Sequence, residues 1–169
     1  MLFRSKKIIE ISSEELSKII TSPVALDFDL VGGDLSGYSV YLESGDTYLV
    51  RTNKMEEWFE NPLIEKYLHN SKRFSHWHVL NGVKFDTELA AYLINAGSRS
   101  LGLNDLSQKY LDEQLPESDE LFSEFNSGSV EIIWKLVPIL QKELKERGML
   151  KLFEDLELPL LNKIGRAHV

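Results

Sequence analysis

The chain has 169 residues, 43% of them hydrophobic and 27% charged, which is enough for one domain with a buried core. It has no cysteine, so disulfides and thiolate chemistry are excluded, and we expect a cytoplasmic protein. The 19 basic and 27 acidic residues give a net charge of −8, which disfavours autonomous binding to DNA or RNA. No apolar run is long enough to span a membrane, so no membrane partner is expected.

The first part of the chain predicts one helix and a small antiparallel sheet. In chain order the pattern predicts a strand or lead-in at 6–11, a helix at 12–20, and strands at 23–30, 37–43 and 47–51. Ser12 and Glu15 form a capping-box signature for the helix. The turn sequence "SGD" separates the last two strands, so the three strands are predicted to form a meander.

The remainder is mostly helical in pattern. It predicts helices at 54–60 and 62–69, a fourth strand at 72–77, helices at 85–97 and 101–111, an acidic loop with some helix at 112–129, and helices at 130–148 and 149–163. Pro62 is suited to start the helix at 62–69. Asp86 or Thr87 is predicted to cap the helix at 85–97, and Gly97 to end it. Asn104 is predicted to cap the helix at 101–111. Together these elements predict an α/β fold with a mixed sheet and flanking helices.

Both ends of the chain read as foreign sequence. "MLFRS" and "IGRAHV" can be encoded by one common sequencing adapter read in opposite orientations. We therefore expect residues 1–5 and 164–169 to be non-native. The genuine segment is then expected to be an internal piece of a longer chain, with a domain at 6–148 and the start of a connecting helix at 149–163.

The stretch "VALDFDL" places two acids, Asp27 and Asp29, one residue apart on a predicted strand. Alternate residues of a strand face the same side, so both carboxylates are predicted to point one way. Two carboxylates arranged in this way suit the first part of a two-metal nuclease site.

Three further stretches, taken with this one, carry a resemblance. They are "GVKFDTELAAYLINAG" (82–97), "LGLNDLSQKYL" (101–111) and "MLKLFEDLELPLL" (149–161). Together the four resemble the 3′→5′ proofreading exonuclease domain of bacterial DNA polymerase I, a family A polymerase. The resemblance implies an RNase H-like (DnaQ-like exonuclease) fold with a mixed five-stranded sheet. It also implies that the last of these stretches leads into a polymerase domain.

In active members of the family, four carboxylates from three motifs bind two divalent metal ions. The resemblance places Asp27 at the position of the first acid. Asp29 stands where the family has Glu, and its side chain is one methylene shorter. The second motif's acid is missing, since residues 66–85 contain no Asp or Glu, and the best local match puts Phe74 at its position. The third motif, Tyr-x-x-x-Asp, is also missing, with Phe125 and Ser129 at the two positions. Asp86 is interpreted as a helix cap.

These losses predict a vestigial, inactive exonuclease domain that serves as a structural platform for the polymerase domain. No cofactor is expected; Mg²⁺ or Mn²⁺ would matter only if activity survives, with at most one ion held by Asp27 and Asp29. The expected partners are the parent's polymerase domain and, through the parent, DNA, while the isolated piece is expected to be a monomer. Two alternatives stay open: a weakly active metal-dependent 3′→5′ exonuclease, and an RNase D-like nucleic-acid-binding module.

The final predicted helix is apolar along Leu156, Leu158, Leu160 and Leu161. It is expected to continue into the parent chain. The isolated piece would therefore expose this apolar surface and dissolve poorly.

Overall fold

The structure is a computed structural model that describes residues 7–74, 80–115 and 125–167. Within these ranges the strands are β1 (Ile8–Glu10), β2 (Val24–Val31), β3 (Asp34–Leu42), β4 (Thr47–Arg51), β5 (Lys66–Leu68) and β6 (Val83–Asp86). The helices are α1 (Ser13–Ile19), α2 (Glu57–Glu60), α3 (Thr87–Ile94), α4 (Leu103–Leu111), α5 (Ser129–Glu146), α6 (Leu150–Leu152) and α7 (Leu158–Ala167). A 3₁₀ turn occupies Ser71–Phe74, and a π-helical segment, Phe153–Glu157, joins α6 to α7.

The strands form one mixed sheet in the order β1-β4-β3-β2-β5-β6. β2, β3 and β4 are the predicted antiparallel meander, while β5 and β6 run parallel to β2 on its other side. β1 pairs in parallel with β4, so the sheet has six strands and not the predicted five. β2 therefore lies in the interior of the sheet, as its apolar composition predicts.

Several predicted elements are confirmed. The capping box is present, since the Ser12 hydroxyl accepts from the Glu15 backbone and the Glu15 side chain accepts from the Ser12 backbone. The long amphipathic helix predicted at 130–148 is α5. Asp86 caps α3 by accepting from the backbone of Glu88 and Leu89.

Other predictions are wrong. The helix predicted at 62–69 contains strand β5, because pairing with β2 and β6 outweighs a helix-like spacing of apolar residues. The fourth strand predicted at 72–77 is a 3₁₀ turn as far as Phe74, and residues 75–77 lie outside the described residues. Asn104 does not cap α4, since it lies inside the first turn and its side chain accepts from the backbone of Leu115. Much of the loop predicted at 112–129 also lies outside the described residues.

The two faces of β2 meet different surroundings. Even-numbered residues enter an aromatic core in which Phe28 packs edge-on against Phe59 and Phe74, at centroid distances of 5.2 and 4.7 Å. Ala25, on the opposite face, packs against Val130 and Ile133 at the start of α5. The odd-numbered Asp27 and Asp29 therefore lie on the face that the N-terminus of α5 covers.

The last helical run is only partly exposed. Leu156 and Leu160 are 55% and 47% exposed, as the sequence predicts, and Leu152 one turn earlier is 41% exposed. Leu158 is buried at 6%, so its predicted exposure is wrong. The run thus presents a leucine stripe, Leu152, Leu156 and Leu160, at four-residue spacing along one helical face.

Candidate active site

Asp27 is held by three donors from three parts of the chain. Its Oδ1 accepts from the Phe28 backbone at 3.0 Å and from the Arg73 guanidinium at 3.2 Å. Its Oδ2 accepts from the Ser129 hydroxyl at 3.1 Å. Ser129 is the first residue of α5, so the carboxylate also faces the positive end of a helix dipole.

Burial dominates the chemistry of this carboxyl group. Desolvation raises the pKa of Asp27 from 3.8 to about 6, although the Arg73 charge and the Ser129 hydrogen bond act in the opposite direction. Asp29 on the same face adds to the rise through like-charge repulsion. Asp27 is therefore ionised at neutral pH but at a cost in stability.

We expect Asp27→Asn to change how stability depends on pH. Because the folded pKa of Asp27 is raised, its favourable contribution is present below pH 3.8 and lost as the pH rises through about 6. As the pH rises from 4 to 8, the unfolding free energy of the variant should therefore increase by about 2 kcal/mol relative to that of the original chain. Urea unfolding of both proteins across this range measures the difference. Burial lowers the pKa of His69, which has the opposite effect on pH dependence, but that contribution is common to both proteins and cancels. Parallel pH profiles would contradict the raised pKa.

Asp29 is paired by an arginine two strands away. The sheet register aligns Asp29 on β2 with Gly37 on β3, and Gly37 with Arg51 on β4. The Arg51 side chain passes over the glycine, its Cδ 3.7 Å from where a Cβ of residue 37 would lie, and reaches the Asp29 carboxylate at 3.4 Å. A side chain at position 37 would also meet the Val50 carbonyl at 2.8 Å, so the crossing depends on glycine.

The three positions predicted to have lost their functional groups lie in different places. Ser129 lies in the site, on Asp27. Phe74 is buried at 2% against Phe28, on the other face of β2, while its neighbour Arg73 reaches Asp27. Phe125 is buried at 6% shortly before α5. Sequence reasoning thus placed the lost position one residue from Arg73, but it predicted a strand there and missed Arg73, whose guanidinium also lies 4.8 Å from the Phe74 ring.

Asp86 is fully engaged as a structural group. Besides capping α3, it accepts from the backbone of Asn70 at 3.2 Å and from the backbone and hydroxyl of Ser71 at 2.8 and 2.7 Å. These bonds fix the start of the 3₁₀ turn that carries Arg73. Asp86 is therefore a cap and an anchor for the turn, with its oxygens already used.

A two-metal centre does not fit the residues present. Hard divalent cations need several carboxylate oxygens, whereas Asp27 and Asp29 each already bind an arginine. In the described part of the chain, no three acidic or histidine side chains are grouped so that they could hold a metal ion. The Ser39 hydroxyl, opposite Asp27 in the register, is buried without a hydrogen-bond partner in the structure, but a neutral hydroxyl does not replace a carboxylate.

Ser39→Ala should stabilise the chain by about 0.5–1 kcal/mol, because it removes a buried hydroxyl that makes no hydrogen bond. The matched control is Ser71→Ala, at another buried serine whose hydroxyl does donate to Asp86 and whose loss should destabilise. Thermal unfolding of the two variants measures both effects. A destabilised Ser39→Ala variant would show that the hydroxyl has a partner.

The fold defines the class of protein. The structure aligns with Brucella melitensis NrnC with bound Mg²⁺ at a TM-score of 0.76 and 16% identity, over 95% of this chain and 92% of that one. It aligns with the POL domain of Pol1 from M. smegmatis, in complex with DNA primer-template and dNTP, at a TM-score of 0.75 and 24% identity, over 94% of this chain and 31% of that one. These alignments show a shared fold, and the family match over residues 32–124 identifies it as the predicted RNase H-like fold.

Sequence comparison identifies the family. The family described as "DNA polymerase I, ribonuclease H-like domain" matches residues 32–124, more than half of the chain. DNA polymerase I of Bacillus subtilis (strain 168) is 30% identical over 90% of this chain, which spans 21% of that protein's length. DNA polymerase I of Borreliella burgdorferi is 25% identical over 95% of the chain and 20% of its own length. The chain belongs to the DNA polymerase I family and corresponds to its 3′→5′ exonuclease domain.

The described residues contain no helix with the length and apolarity required to cross a bilayer.

Proposed function

We propose that this chain is a catalytically inactive exonuclease domain that acts as a structural platform for the polymerase domain of a DNA polymerase I, in DNA replication and repair. The observation that carries the proposal is that both acids of the first motif are bound by arginines, Asp27 by Arg73 and Asp29 by Arg51. An arginine at each carboxylate occupies oxygens that metal ions need and opposes the approach of a second cation.

The leucine stripe supports the platform role. Leu152, Leu156 and Leu160 are exposed along one helical face, and an apolar stripe of this kind suits packing against another domain. We propose the polymerase domain as that partner and contact with DNA only through it. The chain's lack of cysteine is in keeping with action in the cytoplasm.

The proposal is tested by a degradation assay on single-stranded DNA labelled at its 5′ end, with Mg²⁺ or Mn²⁺. We expect no shortening from the 3′ end beyond the level of an Asp27→Ala variant prepared in parallel. An active 3′→5′ exonuclease run beside it shows that the conditions permit cleavage. Activity that disappears on Asp27→Ala would overturn the proposal in favour of a weak metal-dependent exonuclease.

The structural part of the proposal needs a separate measurement. Leu156→Glu should leave the thermal stability of the isolated chain almost unchanged, because this side chain is 55% exposed. In the longer polymerase the same change should lower the unfolding temperature. An equal effect in both proteins would contradict a domain contact at the leucine stripe.

A further inference from the structure

The Asp27 carboxylate joins three elements that are far apart in sequence. Arg73, on the 3₁₀ turn, is 46 residues away, and Ser129, at the start of α5, is 102 residues away. Both donate to the same carboxylate on β2. A single side chain therefore ties the turn and the helix to the centre of the sheet.

The carboxylate needs a cation for physical reasons. The Asp27 side chain is only 16% exposed, and Asp29 places a second negative charge two residues away on the same face. Arg51 already compensates Asp29, so the Asp27 charge is the one that needs a further cation, because burying it without one is unfavourable. In a metal-binding site the ions supply that charge; here the Arg73 guanidinium supplies it, at 3.2 Å.

Local contacts position the Arg73 guanidinium to neutralise Asp27. Its guanidinium lies 4.8 Å from the Phe74 ring, and the turn that carries it is fixed by the bonds from Asn70 and Ser71 to Asp86. The Arg73 side chain is itself 45% exposed, so the cation keeps much of its hydration while it neutralises a mostly buried anion. A planar, permanently charged guanidinium suits this role better than the smaller, more strongly hydrated ammonium of lysine.

We propose that Arg73 is a built-in cation that stands at Asp27 in place of a metal ion, holding β2, the 3₁₀ turn and α5 together without divalent metal. The inference rests on the proposed loss of metal binding. It adds that the fold has become dependent on this arginine, and that removing the arginine uncovers a carboxylate that a divalent cation can neutralise.

The test compares thermal unfolding of the whole chain and its variants at pH 7.5, first in EDTA and then with about 5 mM Mn²⁺, a hard cation that carboxylates bind. Arg73→Gln should lower the unfolding temperature by about 4–8 °C in EDTA. Lys72→Gln, the matched control, removes an exposed neighbouring charge and should shift it by less than about 2 °C. The double variant Asp27→Asn/Arg73→Gln should recover most of the loss, because the buried charge is gone. Mn²⁺ should raise the unfolding temperature of Arg73→Gln alone.

If the variants fold, any one of four outcomes would overturn the inference. Arg73→Gln could be no less stable than Lys72→Gln, the double variant could be no more stable than Arg73→Gln, Mn²⁺ could leave Arg73→Gln unchanged, or Mn²⁺ could raise the double variant as much. If Arg73→Gln does not fold, a folded double variant supports the inference and an unfolded one overturns it. If Mn²⁺ stabilises the unmodified chain, the proposed loss of metal binding is overturned. The outcomes above, without that stabilisation, overturn only the role of Arg73.

Discussion

Asp86→Ala should destabilise the chain by about 3–5 kcal/mol, the largest effect that we expect from any single substitution. The Asp86 side chain accepts five hydrogen bonds while the residue is 1% exposed. Alanine would leave the cap of α3 unmade and the Ser71 backbone donor buried without its acceptor. Urea unfolding followed by far-UV circular dichroism measures the loss.

Asp105→Ala is the matched control for Asp86→Ala. Asp105 is also an acid at the start of a helix, in the first turn of α4, but it is exposed. Its removal should cost no more than about 0.5 kcal/mol. Similar losses in the two variants would show that the hydrogen bonds to Asp86 contribute little.

Lys66→Met should cost about 3 kcal/mol, the second largest effect. Lys66 is fully buried, and its ammonium donates to the carbonyls of Asn61, Ile64 and Asn81 at 3.0, 2.7 and 2.6 Å. Burial lowers the pKa of Lys66 to about 8, so the group still carries its charge at pH 7. Methionine fills the same space but cannot donate, which leaves three carbonyls without their shared donor.

The control is Lys84→Met on the adjacent strand β6, where the lysine is exposed. We expect a change within about 0.5 kcal/mol, measured by the same urea unfolding experiment. If Lys66→Met is as mild as the control, the buried lysine does not join the segment before β5 to the segment before β6.

Local patterns predicted much of the fold. Three features depend only on residues that are close in sequence, so the sequence alone was enough to predict them. They are the strands of the meander, with their alternation of apolar and polar residues, the capping box at Ser12 and the long helix α5. The placement of Asp27 and Asp29 on one face of a central strand followed from strand geometry in the same way.

Features that depend on distant contacts were not predictable from local patterns. β5 has only three residues, one of them a buried lysine, and it is a strand because β2 and β6 lie on either side of it. The pairing of Arg51 with Asp29 requires the register of three strands and a glycine between them. The reach of Arg73 to Asp27 requires the 3₁₀ turn, where the sequence predicted a strand.

Under the proposed function, the contacts of the two acids explain how the fold persists without catalysis. Arginines on β4 and on the 3₁₀ turn neutralise carboxylates that the sheet and α5 bury. Under the proposed function, selection would then act on stability and domain packing, to which Asp86 and Lys66 contribute. The leucine stripe would be the part of the surface that connects this domain to the polymerase.

The most direct test of the central claim is a Mn²⁺ binding titration of the unmodified chain, followed by electron paramagnetic resonance, with Asp27→Ala as the reference. If arginines have replaced metal ions at both acids, the two proteins should give the same weak, nonspecific signal loss up to about 1 mM Mn²⁺. Binding of two ions per chain at micromolar Mn²⁺, abolished by Asp27→Ala, would contradict the account and restore a two-metal site.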